Sequence, residues 1–571
     1  MDRRLQTPDS GSNYQFQNKM TTASLPRSMF DLSHLHTTTL PDIGSLIPIW
    51  VHETVPNDSF ELSVNTLLRV LPQVVPMYSR QRLSVHAFWS RSGDLWNEFN
   101  TYMTKGYTGD EILSKPVLTA GLNAVAQTEA SYLNLPAYFI PALGTHQLNA
   151  DTYSHLKLNA LPFMMYQRIW RDYYMNKNFY INDRVLLPNV DDHFRLNTAG
   201  AVISALDAGQ TFDLTEMRYR DFADDYFLSA FPSPQRGTAP TLDFSGTLSS
   251  IFGSGSATGP FFNVNSSGSA VNVGASAYSM DPIQTGLTFD NMSTTLTRFI
   301  NSQLLTNLNA ALSPTATLTS SITLNQIREL AVAQSELEKM AKTDGSYGDF
   351  GLTFFGRVSK NAIDYRPVYV GGTYQAIQFS EVLQTTNTAT DPLGSYAGHG
   401  ISYTSDGYLG RIDCDDYGYL MLVASVVPDT YYSQGLDRMW FKSLQSDEFL
   451  PDRARLGMRE ILNKELLFSG VAETDNDIFA YQSPFDELRY VPNRISGKIA
   501  NPNELSFFPY TQSRFFTSTP TFSQSFATMK DNVRMDFLAA PTEVPYTAQF
   551  SISCRAVRPL PYHPIPSNLG V

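Results

Sequence analysis

The chain has 571 residues, of which 42% are hydrophobic and 17% are charged, a composition typical of an ordered protein with ample material for a core. Its formal charge of −13, from 41 basic and 54 acidic side chains, has the wrong sign for a protein that binds nucleic acid over its whole surface. Two cysteines, Cys414 and Cys554, are too few for a disulfide framework.

The first twenty residues, MDRRLQTPDSGSNYQFQNKM, lack the apolar core of a signal peptide. We therefore expect synthesis in a reducing cytosol. The basic side chains of an N-terminal arm, residues 1–27, have almost no apolar neighbours, and two interpretations stay open: a frayed terminus, or an arm that contacts phosphates or a neighbouring subunit. The candidate nucleic-acid contacts are Arg3, Arg4, Lys19 and Arg27.

Three β-like runs follow the arm: SLIPIWV from Ser45, FELSVNTLLRVL from Phe60 and RLSVHAFW from Arg82. GDLWNEFNTYM, after Gly93, is predicted as a short helix. LPFMMYQRIWRDYYMNKN is predicted as a longer helix, because Pro162 suits a first turn and large apolar residues recur at helical spacing.

The stretch DDYFLSAFPSPQRG, residues 224–237, joins an acidic and aromatic run to a proline-broken turn. It offers no nucleophile with a base at useful spacing and no phosphate-cradling glycines. Proline fixes φ and removes a backbone donor, so we predict a structural corner that leads into a variable loop. Its residues are Pro232, Pro234, Gln235, Arg236 and Gly237.

Residues 238–320 are rich in Ser, Thr, Gly, Asn and Ala. Such a segment is either a flexible linker between two domains or a large surface insertion. Phenylalanines and valines interleaved with the polar residues, such as Phe261, Phe262 and Val271, favour short strands and therefore the insertion.

TLNQIRELAVAQSELEKMAKTDG predicts a helix with a capping pair, Thr323 and Gln326, and Gly345 beyond its end. The apolar run YLMLVASVV, 419–427, is about half the length of a membrane span and is typical of a strand buried on both faces. YTAQFSISCRAV alternates apolar and polar residues from Tyr546 to Ala556. Strands drawn from both ends of the chain favour an antiparallel sandwich with helices in its long excursions.

The sequence contains only incomplete versions of the known cofactor-binding and metal-binding motifs. In GSGSATG, Thr258 stands where a dinucleotide fingerprint needs glycine, and DCDDYG, 413–418, has Ala424 where a calcium loop needs glutamate. His34, His36 and His52 lack further ligands at zinc-like spacing. We predict no catalytic residue, no metal site and no cofactor.

Six blocks of the sequence together form a pattern: DDYFLSAFPSPQRG, LPFMMYQRIWRDYYMNKN, PVYVGG, DYGYLMLVASVVPDTYYSQGLDRMW, RSMFDLSH and AQFSISCRAVRPLPYHPIPSNLGV. Together they resemble the major capsid proteins of small single-stranded DNA phages, the microviruses, and most closely their gokushovirus-like branch, although Ser233 stands where that family has tryptophan. The resemblance covers nearly the whole chain, in the family's order.

This resemblance implies a mainly β fold, an eight-stranded antiparallel jelly roll with long helix-containing loops, as a single domain over residues 1–571. It implies a non-enzymatic protein of the virion capsid, made in the cytoplasm of a bacterial host. About sixty copies would form a T=1 icosahedral shell around circular single-stranded DNA.

The implied partners are other copies of the chain, the packaged DNA, a small basic DNA-binding protein, a DNA pilot protein, a scaffolding protein during assembly and a host-cell receptor. Relatives carry a loop insertion that forms threefold protrusions, and residues 238–320 are the candidate here. Two rival classes stay open. A secreted or surface β-rich glycan-binding or glycan-cleaving protein would need two carboxylates brought together for cleavage, and an adhesin or tail fibre would show repeats.

Overall fold

The computed structural model describes residues 26–117, 133, 135–142, 158–176, 178–179, 214–240, 262–263, 270–271, 324–343, 347–357, 366–380, 398–404, 407–455, 457–504 and 506–563. Within these residues the fold is mainly β, and every pairing between strands is antiparallel. The fold class predicted from the sequence is confirmed.

The strands of the described residues run from end to end of the chain. They are β1 (Ser28–Asp31), β2 (His34–Leu40), β3 (Ile47–Thr54), β4 (Ser59–Val70), β5 (Gln81–Arg91), β6 (Phe262–Asn263), β7 (Ala270–Val271), β8 (Val368–Ala376), β9 (Gln378–Ser380), β10 (His399–Tyr403), β11 (Tyr408–Asp413), β12 (Gly418–Pro428), β13 (Arg459–Leu462), β14 (Ile478–Gln482) and β15 (Tyr546–Arg558).

The α-helices lie in the excursions between strands. They are α1 (Ser92–Leu95), α2 (Phe99–Thr104), α3 (Leu135–Phe139), α4 (Leu161–Ile169), α5 (Leu324–Ala341), α6 (Tyr347–Phe355), α7 (Asn463–Leu466), α8 (Ala472–Asn476) and α9 (Gln524–Ala527). A π-helical turn, Trp170–Tyr174, continues α4, and 3-10 turns lie at Arg438–Phe441, Gln445–Asp447, Pro451–Arg455, Asp486–Leu488, Gly497–Ala500 and Phe508–Tyr510.

Two sheets form the sandwich. The seven-stranded sheet has β15 and β4 at its centre, with β1 and β2 paired along β15, and β10 and β11 paired along β4. The four-stranded sheet has the order β3-β12-β5-β8. Among the described residues these two sheets hold eleven strands, whereas the family resemblance implies eight. The number is larger for two reasons. β1 and β2 pair with successive parts of β15, and β10 and β11 pair with successive parts of β4, so each pair takes the place of one long strand. The short strand β9 is added at the edge of the sheet.

The core lies between these sheets, as the strand alternation predicts. Phe60, Leu62 and Val64 of β4 are fully buried, and the facing residues of β15 that pair with them, such as Cys554 and Ile552, are buried as well. Hydrogen bonds cross between the sheets, for example from the Tyr546 hydroxyl to Gln81 Oε1 at 2.8 Å. One continuous apolar cluster thus joins the two sheets.

β12 is buried along its whole length, as predicted for YLMLVASVV. One face packs in the sandwich, and α1 and α4 contact the strand as well. The Tyr166 hydroxyl of α4 donates to the Leu46 carbonyl at 2.8 Å, and the Trp170 indole N–H donates to the Tyr219 carbonyl at 2.7 Å. The predicted helix from Leu161 is confirmed, with its last turn widened into a π-helix.

The helix predicted over GDLWNEFNTYM is wrong as a single element. Helices α1 and α2 are separate, since Trp96 is extended (φ −134°, ψ 114°). Its indole is buried and packs 5.7 Å from the Tyr102 ring. Burial of this large side chain against the core takes precedence over continuous helical hydrogen bonding.

The chain divides into two compact units. The first comprises Met1–Arg236 and Glu338–Val571, and contains both sheets. The second comprises Gly237–Leu337, within which β6 and β7 form an antiparallel pair. The predicted helix from Thr323 is confirmed as α5, whereas its capping residue Thr323 and Gly345 lie outside the described residues.

Candidate assembly surface

The segment 224–237 begins with a turn that Asp225 caps. Asp225 Oδ1 accepts hydrogen bonds from the backbone N–H groups of Phe227 and Leu228, both at 2.9 Å. The Ser229 hydroxyl donates to the Asp225 carbonyl at 2.7 Å. Asp side chains commonly accept hydrogen bonds from the backbone N–H groups of a turn in this way. Asp225 therefore stabilises the turn at the start of the segment.

The same carboxylate reaches the long excursion between β12 and β15, residues 429–545. The Tyr432 hydroxyl donates to Asp225 Oδ2 at 2.7 Å. Burial, and then the negative charge of Asp225, raise the pKa of Tyr432, so this hydroxyl stays protonated and donates. Asp225 therefore joins its own turn to the start of the excursion.

Tyr226 makes a second link to the excursion. Its hydroxyl donates to Glu465 Oε2 at 2.9 Å, and Arg438 donates to Glu465 Oε1 at 3.1 Å. The side chains of Arg438 and Glu465 are 5% and 2% exposed. Burial raises the pKa of Glu465, while the Arg438 charge acts in the opposite direction. A buried ion pair is tolerated where hydrogen bonds satisfy it, and the Leu462 N–H supplies one more at 3.1 Å.

The proline-containing part of the segment follows a backbone bridge. The Tyr481 N–H donates to the Phe231 carbonyl at 2.8 Å. The chain then bends through Pro232, Pro234 and Gln235 to Gly237, which has a φ of +91°. Arg236 donates to the Thr343 carbonyl at 3.0 Å. The first compact unit stops at Arg236 and the second begins at Gly237.

Large apolar side chains are exposed within the excursion. Trp440 is 71% exposed, and it lies among other exposed apolar residues of a short stretch that we call the 436–450 surface: Leu436, Met439, Trp440, Leu444, Phe449 and Leu450. Single exposed apolar residues are ordinary, whereas a concentration of them marks an interaction site.

The 436–450 surface is held rigidly. Asp447 Oδ2 accepts from the N–H groups of Ser443 and Leu444 at 3.2 and 3.0 Å. Lys442 pairs with Glu487 at 2.9 Å. A surface whose backbone is fixed in this way loses little conformational entropy when it contacts another molecule.

Comparison with known proteins identifies the family. Residues 18–567 match the model of the family described as Capsid protein (F protein). The chain belongs to this family of phage capsid proteins. It is 25% identical to Capsid protein VP1 of Chlamydia phage 1 over 96% of this chain and 97% of that protein. It is 26% identical to Capsid protein VP1 of Bdellovibrio phage phiMH2K over 92% of each chain, and 22% identical to Capsid protein VP1 of Spiroplasma virus 4 over 85% of each.

The chain is thus a structural major capsid protein of a small phage, similar to the gokushovirus-like microviruses. The family resemblance found in the sequence is confirmed. Membership of a capsid family implies a structural role, a place in the virion capsid and self-assembly with other copies.

The basic arm of this capsid protein is described only at its end. Arg27 is exposed and directly precedes β1. Arg3, Arg4 and Lys19 lie outside the described residues.

Two of the three histidines singled out in the sequence, His34 and His52, pack against Trp50, while His36 lies in β2. The Trp50 ring lies 5.4 Å from the rings of both His34 and His52, and the Arg558 guanidinium contacts His52 Nε2 at 2.9 Å. Among the described residues, no three His, Cys, Asp or Glu side chains are grouped to hold a metal ion. None of the described helices is long and apolar enough to cross a bilayer.

Sequence reasoning missed the residues that receive the segment 224–237. Tyr432, Arg438 and Glu465 follow no local pattern that predicts their partners. Trp440 carried a usable signal, since it stands with Met439 and Phe441 in a stretch rich in charges that lacks the period of a buried helix or strand.

Proposed function

We propose that this capsid protein builds a closed icosahedral shell of about sixty copies around circular single-stranded DNA, and that neighbouring copies meet through the 436–450 surface. The observation that carries the contact is the exposure of Trp440 on a segment fixed by Asp447 and Lys442. Tryptophan is enriched in interface hot spots, and a shell of identical copies offers another copy as the partner.

The excursion that bears the 436–450 surface is bonded to the segment 224–237. Tyr432 and Glu465 fasten it to Asp225 and Tyr226, inside the first compact unit. The bond to Glu465 is buried and the bond to Asp225 is half-buried, so Trp440 stands on an excursion that is fixed to the rest of the first unit rather than on a loose loop.

Packaging of DNA by this negatively charged protein requires additional positive groups that neutralise the phosphates. With −13 per chain, sixty copies carry about −780, which repels a polyanion. This balance supports a small basic protein that enters with the genome, and the arm residues Arg3, Arg4, Lys19 and Arg27 as additional phosphate contacts. A DNA pilot protein and a scaffolding protein complete the partners proposed from the family, with synthesis in the bacterial cytoplasm.

Residues 238–320 are proposed as a surface insertion that forms threefold protrusions and contacts a host-cell receptor. The bend from Pro232 to Gly237 is proposed as the turn into it. Support comes from the polar composition of 238–320. Deletion of 238–320 should leave particles that assemble but do not adsorb to cells; particles that stay fully infectious would refute the attachment role.

The assembly contact is tested with Trp440→Ala. We expect the unassembled chain to keep its thermal unfolding midpoint, because the side chain is exposed, while the yield of sedimenting particles falls at least tenfold. Tyr107→Ala is the matched control, since Tyr107 is a fully exposed aromatic residue outside the 436–450 surface. Normal particle yield from Trp440→Ala would refute the contact.

A further inference from the structure

Three aromatic rings form a stacked row on the surface. The Tyr78 ring lies 5.8 Å from the Tyr510 ring with an interplanar angle of 14°. The Tyr510 ring lies 5.8 Å from the Phe507 ring with an angle of 26°. Tyr78 belongs to the loop between β4 and β5, whereas Tyr510 and Phe507 belong to the excursion before β15. We call these three residues the aromatic ladder.

The outer end of the aromatic ladder is open to solvent. Tyr78 is 68% exposed, and Phe507 at the other end is 39% exposed. Tyr78 therefore rests on Tyr510 and leaves much of its own ring uncovered. A flat ring with a free face is the element on which an unpaired base stacks.

The aromatic ladder is fixed by a polar network beneath it. The Tyr78 N–H donates to the Tyr510 carbonyl at 2.8 Å, and the Gln512 N–H donates to the Ser79 hydroxyl at 2.7 Å, across 433 positions of the chain. Gln81 Nε2 donates to Gln512 Oε1 at 2.8 Å. The two loops are thereby locked together, so the rings hold their geometry before any ligand arrives.

Positive side chains flank the rings. Lys498 Nζ lies 5.6 Å from the centroid of Phe507, and its side chain is exposed. Arg80 is exposed two residues from Tyr78. The Arg534 guanidinium lies 3.4 Å from the centroid of Phe508, next to Phe507. Two carboxylates are close: Glu504, 4.0 Å from Lys498, and Asp536, paired with Arg534.

Lys498, beside the Phe507 ring, and Arg80, two residues from Tyr78 in the chain, are thus exposed cations on a protein whose total charge is −13. Rings with a free face and a few cations at their edge suit single-stranded nucleic acid, whose bases stack while its phosphates meet the cations. Duplex DNA keeps its bases paired and stacked internally, so it offers no base face to Tyr78.

We propose that the aromatic ladder of Tyr78, Tyr510 and Phe507 binds unpaired bases of single-stranded nucleic acid, with Lys498 and Arg80 close enough to meet adjacent phosphates. This inference rests on the proposed function, since it places a contact to the enclosed DNA. Stacking supplies most of the affinity, so binding depends only weakly on salt, with a slope set by about one or two phosphates.

The first test uses the unassembled full chain and a fluorescent twelve-nucleotide oligothymidylate, with affinity read by anisotropy. We expect Tyr78→Ala to weaken binding about tenfold, and Tyr78→Phe to keep it because the ring is retained. Tyr403→Ala removes an equally exposed tyrosine elsewhere and should change nothing. Unchanged affinity in Tyr78→Ala, or equal losses in Tyr78→Phe and Tyr78→Ala, would overturn the proposal.

The second test separates this inference from the proposed function. Purified particles are irradiated with ultraviolet light, and the peptides that carry nucleotide adducts are mapped by mass spectrometry. Adducts at Tyr78 or within 507–510 support the aromatic ladder. Nuclease-protected DNA without adducts there overturns the ladder alone, while particles without DNA overturn the proposed function. Loss of particles in Tyr78→Ala with unchanged oligonucleotide affinity would reassign the rings to a contact between copies.

Discussion

Tyr226 and Glu465 lie 239 positions apart in the chain, and the Tyr226 hydroxyl donates to the Glu465 carboxylate at 2.9 Å. Arg438 neutralises the same carboxylate from its other side. Together with the bond from Tyr432 to Asp225, this contact explains why an acidic and aromatic stretch precedes the proline corner. The stretch fastens the excursion that carries the 436–450 surface.

Removal of the Glu465 charge should be costly. Glu465→Gln leaves Arg438 buried without its counter-charge, so we expect the free energy of unfolding to fall by about 3 to 5 kcal/mol. Tyr226→Phe removes one hydrogen bond and should cost about 1 to 2 kcal/mol. Denaturant titration of the unassembled chain measures both, with Tyr490→Phe as an exposed control. Equal stability of Glu465→Gln and Tyr490→Phe would contradict this account.

Gly371 should tolerate no side chain. A Cβ at this position in β8 would lie 1.6 Å from the carbonyl oxygen of Leu409 in β11, where edges of the two sheets meet. Gly371→Ala must displace backbone, so we expect a loss of about 3 kcal/mol or more. Gly93→Ala in α1 is the control, because no atom lies within 4 Å of its Cβ position. Comparable thermal midpoints for the two variants would show that the approach is not tight.

His86 should make the fold sensitive to acid. Its Nδ1 lies 2.6 Å from the Tyr174 hydroxyl, and burial, with a smaller effect of Arg220, lowers its pKa from 6.5 to about 4. Between pH 6.5 and 4, His86 is protonated in the unfolded chain but stays neutral in the folded chain. Stability is therefore fully present above pH 6.5 and declines as the pH falls, by about 3 kcal/mol from this group.

The variant His86→Gln should lose that part of the pH dependence. Unfolding free energies at pH 7 and pH 4.5 are compared for the parent chain, His86→Gln and the exposed control His563→Gln. A difference between the two pH values that is unchanged by His86→Gln would rule out His86 as the source.

The basic arm is tested by packaging. Changing Arg3, Arg4, Lys19 and Arg27 together to serine should reduce nuclease-protected DNA per particle, because four positive charges that would meet phosphates are removed. The number of particles should stay constant. Quantification of DNA against protein in purified particles measures this ratio. An unchanged ratio would remove the arm from the DNA contacts.

Much of the sandwich is predictable from sequence, because the order of apolar and polar residues in each strand follows which of its faces are buried. β15 alternates apolar and polar residues since one face meets the core. β12 is apolar almost throughout, with Ser425 as an exception, since both of its faces are covered. The helix α4 follows from helical spacing for the same reason, since nearly all of its side chains are buried. The helix α5 has the predicted spacing, but none of its described side chains is fully buried.

Other features depend on contacts between distant parts of the chain. The motif PVYVGG is recognisable, but no nearby residue indicates that the Leu409 carbonyl packs directly against the backbone of Gly371. Likewise, the sequence around Tyr78 does not reveal that Tyr510 lies beneath its ring. The break between α1 and α2 at Trp96 could not be predicted, because the apolar residues of this stretch fit helical spacing. The burial of Trp96 in the core, which causes the break, is not visible in the sequence.

The most direct test of the capsid account is the mass and content of particles isolated from the infected host. We predict closed particles of about 3.8 MDa of this protein, from about sixty copies of a 63.8 kDa chain, that protect single-stranded DNA from nuclease. Protomers or small oligomers without protected DNA, recovered under the same conditions, would contradict the account.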